Sequence, residues 1–429
     1  MFIKVYTELK NNNFFKFKCA CLFSIIFIII INKKIKIAVY YYSLHNGGAQ
    51  RITALLIHYL SKSKLFNLYL FLIEKVKNEY KIPNNIKRIY IKNGTSDLIK
   101  ELKINKIDII IYQFYNPKEI EILNNLKTTK TIILIHCSFL TWIYFGNFNF
   151  IKTIYNSYKN SKYVVSLIPF ESDFLFKQWG INSILMNNFI TYEYDNVIPS
   201  NLSTKTILMI GRADDKRKRF ELGIKAMKYI SEEIPDSEMK IISDINQIGL
   251  LTTLVKQLNL EKNVKFVGYE KNPEIYFKNA SLNIIPSSTE SFSLVLCETK
   301  TYGIPNIITG FNYVLPAKGG VITIYDDEPK SIAKEAIKIL KNEKYRKQLG
   351  EDARKSMKIF RNDITAKNWI ELLLEVYKGP IYYNKLKDRK EKISNNEAMI
   401  ILKQQIELLK KRNLNFKNIT IESIIHLIK

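Results

Sequence analysis

Cysteine is scarce in this chain, and the four that occur, Cys19, Cys21, Cys137 and Cys297, form no C-x-x-C pair and no disulfide-like framework. The four histidines, His45, His58, His136 and His426, show no ligand spacing such as H-E-x-x-H. These absences argue against a structural metal and against a stapled secreted fold, so the expected compartment is reducing, the cytoplasm. The uncharged apolar run 19–31 falls short of the roughly 18 residues that a spanning helix needs. It lacks a small-residue cleavage site, and Lys16, Lys18, Lys33 and Lys34 flank it. Three readings stay open for residues 1–34: a signal anchor, an interfacial segment, or an extension upstream of the first domain.

Acidic residues are also in deficit: 40 Asp+Glu face 66 Lys+Arg, a formal charge of +26. Such a field attracts nucleotides, nucleic acid or an acidic membrane face without choosing among them. Hydrophobic residues make up 47% of the 429, enough for large cores, and the length suits two domains.

Apolar, β-branched runs at 36–41, 69–73, 107–112, 131–136 and 163–167 alternate with helix-like stretches such as 49–61 and 117–126. The rhythm restarts with strands at 206–210, 239–242, 264–267, 282–285 and 306–308. Strand and helix in alternation predict an α/β protein with two doubly wound, Rossmann-like parallel sheets. The stretch 187–205 is polar and aromatic without a helical period, and it reads as the linker between a domain at 35–190 and one at 200–378. Ligands of such sheets bind beyond the carboxyl ends of the strands, so a cleft between two facing sheets is the expected site. A basic tail, 379–429, carries 11 Lys+Arg and 5 Asp+Glu. Its segment 398–409 reads either as a solvated helix or as a helix for a membrane surface or partner.

The run Pro286-Ser-Ser-Thr-Glu290-Ser-Phe-Ser-Leu-Val-Leu-Cys-Glu298 follows a strand and leads into a helix that Gly303 and Pro305 terminate. A helix N-terminus at the end of a strand offers unpaired N–H groups and a positive dipole to an anion. Eight residues at about 3.6 per turn do not put both glutamates on one helical face, so Glu290 is expected before the helix, which starts near Ser291–Ser293. A second run, Gly211-Arg212-Ala-Asp-Asp-Lys216-Arg-Lys218-Arg219-Phe220, is a basic loop between strand and helix, suited to neutralising a diphosphate. Asn46-Gly47-Gly48-Ala49-Gln50-Arg51 follows the first strand, where paired glycines let a ligand come close to the backbone; no G-K-[ST] completes a Walker loop.

These motifs resemble the family-4 glycosyltransferases, retaining enzymes of GT-B fold with a signature commonly written E-G-F-G-x-x-x-x-E. Glu290, Phe292 and Glu298 match it, and Gly303-Ile-Pro305 matches the G-x-P that follows. Serines 291 and 293 stand where the family has glycine. The resemblance implies that Glu290 lies against the transferred sugar and that Glu298 binds the nucleotide ribose. Ser291, Phe292, Ser293 and Leu294 would then lie along the donor. It implies that Arg212 and Lys218 contact the donor phosphates, with Lys216 a rival for the second position. Gly47 and Gly48 match a family G-G-A-E-R with Gln50 in place of Glu, His136 stands where related enzymes keep a histidine near the sugar, and Gly268 ends a strand beside the base. Trp369 lies in a last helix that in the family crosses back onto the N-terminal domain. The resemblance covers about residues 36–378.

The implied partners are a nucleotide-diphosphate sugar and a glycan or lipid-linked acceptor, without nucleic acid and with the inner membrane face as a candidate surface. No cofactor or metal is expected, since no Asp-x-Asp ends a strand and cations flank the site. Two alternatives remain. One is another GT-B enzyme, a phosphorylase or sugar-nucleotide epimerase; the other is a noncatalytic protein that binds anions or nucleic acid.

Overall fold

The computed structural model describes residues 34–45, 47–244, 248–311, 313–379, 395–412 and 419–427. The apolar run 19–31 and the rest of the extension up to residue 33 lie outside them. Seven strands form the first sheet: Ile35–Tyr41 (β1), Phe66–Leu72 (β2), Lys87–Tyr90 (β3), Ile109–Tyr112 (β4), Lys130–Leu134 (β5), Tyr163–Ser166 (β6) and Ser183–Leu185 (β7). Their order is β3-β2-β1-β4-β5-β6-β7, and every pairing is parallel. The second sheet holds Thr206–Ile210 (β8), Glu238–Ile242 (β9), Val264–Phe266 (β10), Leu282–Ile285 (β11), Asn306–Thr309 (β12) and Val321–Ile324 (β13). Its order is β10-β9-β8-β11-β12-β13, again wholly parallel.

Central strands such as β4 (IIIY) and β11 (LNII) are buried along their whole length, as a sheet covered by helices on both faces requires. Three strands escaped the sequence reading: β3, β7 and β13. Their sequences, KRIY, SIL and VITI, belong to sheet-edge strands, only partly buried, which need little continuous apolar signal. Strand order reverses between β1 and β4 in one sheet and between β8 and β11 in the other, and the crevice for a ligand opens at such switch points.

The chain crosses between the domains twice, after β7 and again near residue 361. The crossings are tied together at Asn362, whose Oδ1 accepts from Ile190 N at 2.9 Å while its Nδ2 donates to Tyr59 OH at 2.9 Å. The helix Asn362–Lys378 therefore belongs to the N-terminal core and not to the second domain, whose expected span ran to 378. Trp369, Leu372, Leu373 and Val376 are buried in the cluster that surrounds β1 and β4.

The tail reading also needs correction. The helix Asn395–Arg412 buries Ile401, Leu402 and Ile406 in that same core, and Ile424 of the helix Ile421–Ile425 joins them. Trp179 Nε1 donates to Ile425 O at 3.2 Å. An apolar face packed at home is neither a solvated helix nor one offered to a membrane. Among the described residues no helix is long and apolar enough to cross a membrane.

Candidate active site

The loop after β8 and the loop after β11 are built against each other. Ser288 N donates to Arg217 O at 2.8 Å, and Arg219 Nε donates to Pro286 O at 2.6 Å. This brings Lys218 onto Glu290, with Nζ 2.6 Å from Oε1. Glu290 is held from the other side, where its N–H donates to Tyr313 OH at 3.2 Å. Lys218 is thus the lysine that the structure places at Glu290. Its rival Lys216 contributes its backbone instead, the carbonyl accepting from Tyr144 OH at 3.0 Å.

Arg212 stands apart. It is largely exposed and pairs with Asp215 at 3.1 Å, at the end of β8, without reaching Glu290. Sequence reasoning passed over its neighbour Arg217, which sets the loop: Nε and Nη2 grip Asp215 at 2.9 and 2.6 Å, and Nη1 reaches Thr141 Oγ1 at 3.3 Å in the other domain. Burial works against both ions, yet the bidentate bond outweighs it, holding Asp215 at about 2 and raising Arg217. Arg219 was missed for the same reason, as one more cation in a basic run. It is buried, with φ +48°, and donates to Thr309 Oγ1 at 2.7 Å while pairing with Asp327 at 2.6 Å.

The helix after the glutamate loop is Leu294–Thr301, starting slightly later than expected. Ser293 takes the N-cap position at φ +60° and makes no side-chain cap bond. Glu290 therefore lies in the loop and Glu298 in the second turn of the helix. Ser291 reaches across the cleft, its Oγ accepting from Ser138 N at 3.0 Å. Phe292, expected along the donor, turns its side chain inward to an apolar cluster with Ile190, Cys297, Met357 and Phe360 and braces the loop.

Glu298 is 3% exposed. Its Oε1 accepts from Thr191 Oγ1 at 2.7 Å and from Arg51 Nη1, the latter on the helix Gly48–Leu60 of the other domain. Arg51 went unremarked in the sequence although it closes the G-G-A-Q-R run. Gly47 has φ +133°, which a side chain rarely adopts, and a Cβ on Gly48 would lie 3.5 Å from Leu294 Cδ1. Two helix N-termini, at Gly48 and Leu294, thus meet across the cleft and add their dipoles at one place. Gly268, φ +95°, follows β10, an edge strand of the second sheet.

His136, half-buried beyond β5, has Nε2 at 2.6 Å from Gln113 Oε1. Burial pushes the imidazole down to about 4, so it is neutral near pH 7. Two residues on, the Ser138–Ser291 bond joins its loop to the residue after Glu290. Lys218, Glu290 and the two helix ends are brought together, the His136 loop is tied to them through Ser138, and the exposed Arg212 lies toward Tyr41, whose ring packs 5.9 Å from that of His136.

Comparison with known proteins bears on this geometry. Residues 192–356 match the model of the family Glycosyl transferases group 1. A protein of Haemophilus influenzae described as an uncharacterized glycosyltransferase is 25% identical over 286 residues, spanning 62% of this chain and 77% of that protein. The N-acetylgalactosamine-N,N'-diacetylbacillosaminyl-diphospho-undecaprenol 4-alpha-N-acetylgalactosaminyltransferase of Campylobacter jejuni is 25% identical over 299 residues, 62% of this chain and 78% of the other. Among solved structures, Anabaena HepE in complex with UDP and glucose matches with a TM-score of 0.64 at 14% identity, over 79% of this chain and 99% of that one. The architecture is GT-B, and the likenesses support a glycosyltransferase.

Proposed function

We propose that this protein moves a sugar from a nucleotide-diphosphate sugar to a hydroxyl of a glycan or lipid-linked acceptor, with retention at the anomeric carbon. The observation that carries the reading is the Lys218–Glu290 pair, seated where both switch points and two helix N-termini converge. Lys218 and the helix dipoles stabilise the diphosphate as the bond to the sugar breaks, and Arg212 and Arg217 add positive charge to the same loop. Glu290 lies beside the position where the sugar becomes electron-poor, and Glu298 takes the ribose. His136 enters from the acceptor side as a neutral imidazole. UDP is the first nucleotide to test, because the Anabaena relative was solved with it.

Charge distribution supports an acidic acceptor or membrane face. Residues 34–190 hold 21 Lys+Arg against 9 Asp+Glu, whereas residues 191–378 hold 29 against 25. The positive excess therefore gathers on the first domain, the acceptor side in this reading. The catalytic cycle runs without a divalent metal on this reading, since side-chain cations face the diphosphate.

The test is a thermal-shift screen of nucleotide diphosphates and their sugars, followed by transfer assays with chelator present. Stabilisation by one nucleotide and transfer in chelator are expected. No stabilisation by any nucleotide sugar overturns the donor site, and loss of transfer in chelator with rescue by Mn²⁺ overturns the metal-free cycle.

A further inference from the structure

Glu298 belongs to the second domain, but two of the groups that hold it do not. Thr191 lies in the crossing segment, and Arg51 stands in the first turn of the Gly48–Leu60 helix, its N–H donating to Gly47 O at 3.1 Å. Arg51 Nη1 lies 3.4 Å from Thr191 Oγ1 and also bonds Glu298 Oε1, so guanidinium, hydroxyl and carboxylate form a triangle. Among the described residues both hydrogen bonds to this carboxylate fall on one oxygen, leaving Oε2 for a ligand hydroxyl. The rest of the guanidinium lies against Tyr80, 5.3 Å from the ring centroid, on the segment after β2. Lys271, three residues beyond Gly268, approaches the same ring at 5.7 Å and donates to Glu79 O at 2.9 Å. A continuous wall therefore runs from Glu298 to the Gly268 segment, and half of it comes from the opposite domain.

We infer that Arg51 is a positioning residue of the donor site: it fixes the Glu298 carboxylate for the nucleotide's ribose and so makes nucleotide affinity depend on contact between the two domains. The inference rests on the donor reading above. Removing the guanidinium leaves a buried carboxylate without its counter-charge, which turns toward water and away from its place. Lysine keeps the charge but, as a point donor, does not bridge Thr191 and Glu298 in one plane. A ribose contact acts equally in ground and transition states, so the loss falls on KM more than on kcat.

Calorimetry with UDP, and with GDP where UDP gives no heat, tests this on the full chain beside initial transfer rates. Arg51→Gln is expected to weaken nucleotide binding at least tenfold and to raise the donor KM in step, with kcat falling far less. Arg51→Lys is expected to recover part of the loss. If Arg51→Gln does not fold, Thr191→Val removes the other contact on the same oxygen and is expected to weaken binding severalfold. Wild-type binding with unchanged affinity in these variants overturns the inference alone, as does loss of kcat with affinity retained. A wild-type protein that binds no nucleotide diphosphate, in this experiment or in the screen above, overturns the functional reading and this inference with it.

Discussion

Lys218 Nζ sits 2.6 Å from Glu290 Oε1, while the next residue, Arg219, points the other way, into the core, and pairs with Asp327 at 2.6 Å. The left-handed backbone at Arg219 produces this divergence, and four contacts hold the strained residue there. Adjacent cations in one basic run thereby take different tasks.

Substitution separates them. Lys218→Met is expected to lower kcat about 10²-fold, as for other preorganised charged groups, with a smaller loss of stability than at Arg219, because Lys218 makes one contact and Arg219 four. Arg219→Met is expected to cost on the order of 3–5 kcal/mol of stability, because it strands Asp327 and two carbonyls. Initial rates and denaturant unfolding on both variants check the pair.

The two serines that replace family glycines are expected to respond in opposite directions. Ser293 sits at φ +60° without a cap bond, so Ser293→Gly relieves about 1–2 kcal/mol of left-handed strain, reduced by glycine's looser unfolded chain. A net gain below about 1 kcal/mol follows, visible as a higher melting temperature. Ser291→Gly instead removes the acceptor of Ser138 N–H and lowers stability by about 1 kcal/mol.

Glu171 gives the fold a pH dependence. Burial raises its carboxyl to about 7, against bonds from Phe139 N and Tyr155 OH that pull it down. The folded state therefore binds a proton that the unfolded state releases from about pH 4.5 upward. Stability from this residue is full below that pH and is lost as pH rises through about 7. Glu171→Gln, which mimics the protonated form, should be the more stable protein at pH 8 by roughly 3 kcal/mol, with the difference vanishing near pH 4.5. His136 works in the opposite sense: its depressed value removes stability as pH falls from about 6.5 toward 4. Unfolding curves across pH 4–8 for both proteins decide the sign.

The tail helix is expected to behave as core. Leu402→Asp puts a charge where the wild type is fully buried and should cost at least about 3 kcal/mol, with the loss in the first domain. A variant as stable as the wild type returns the tail to the surface.

Local sequence determined much of this protein. Central strands β1, β4, β8 and β11 are mostly apolar because both of their faces are covered, and the glutamate loop is marked by a strand end, small polar residues and a helix start. Glu290 in the loop and Glu298 in the helix followed from helical periodicity alone. Tertiary structure decided the rest, since it depends on which distant segments meet. Nothing local distinguishes Lys218 from Arg219, or Arg51 from any helical arginine, until packing brings residues 247 positions apart onto one carboxylate. The tail's apolar spacing fits solvent, membrane or core equally well, and only its packing against the first domain's apolar residues selects the core. Periodicity records which face a segment buries, and it carries no address for the surface that buries it.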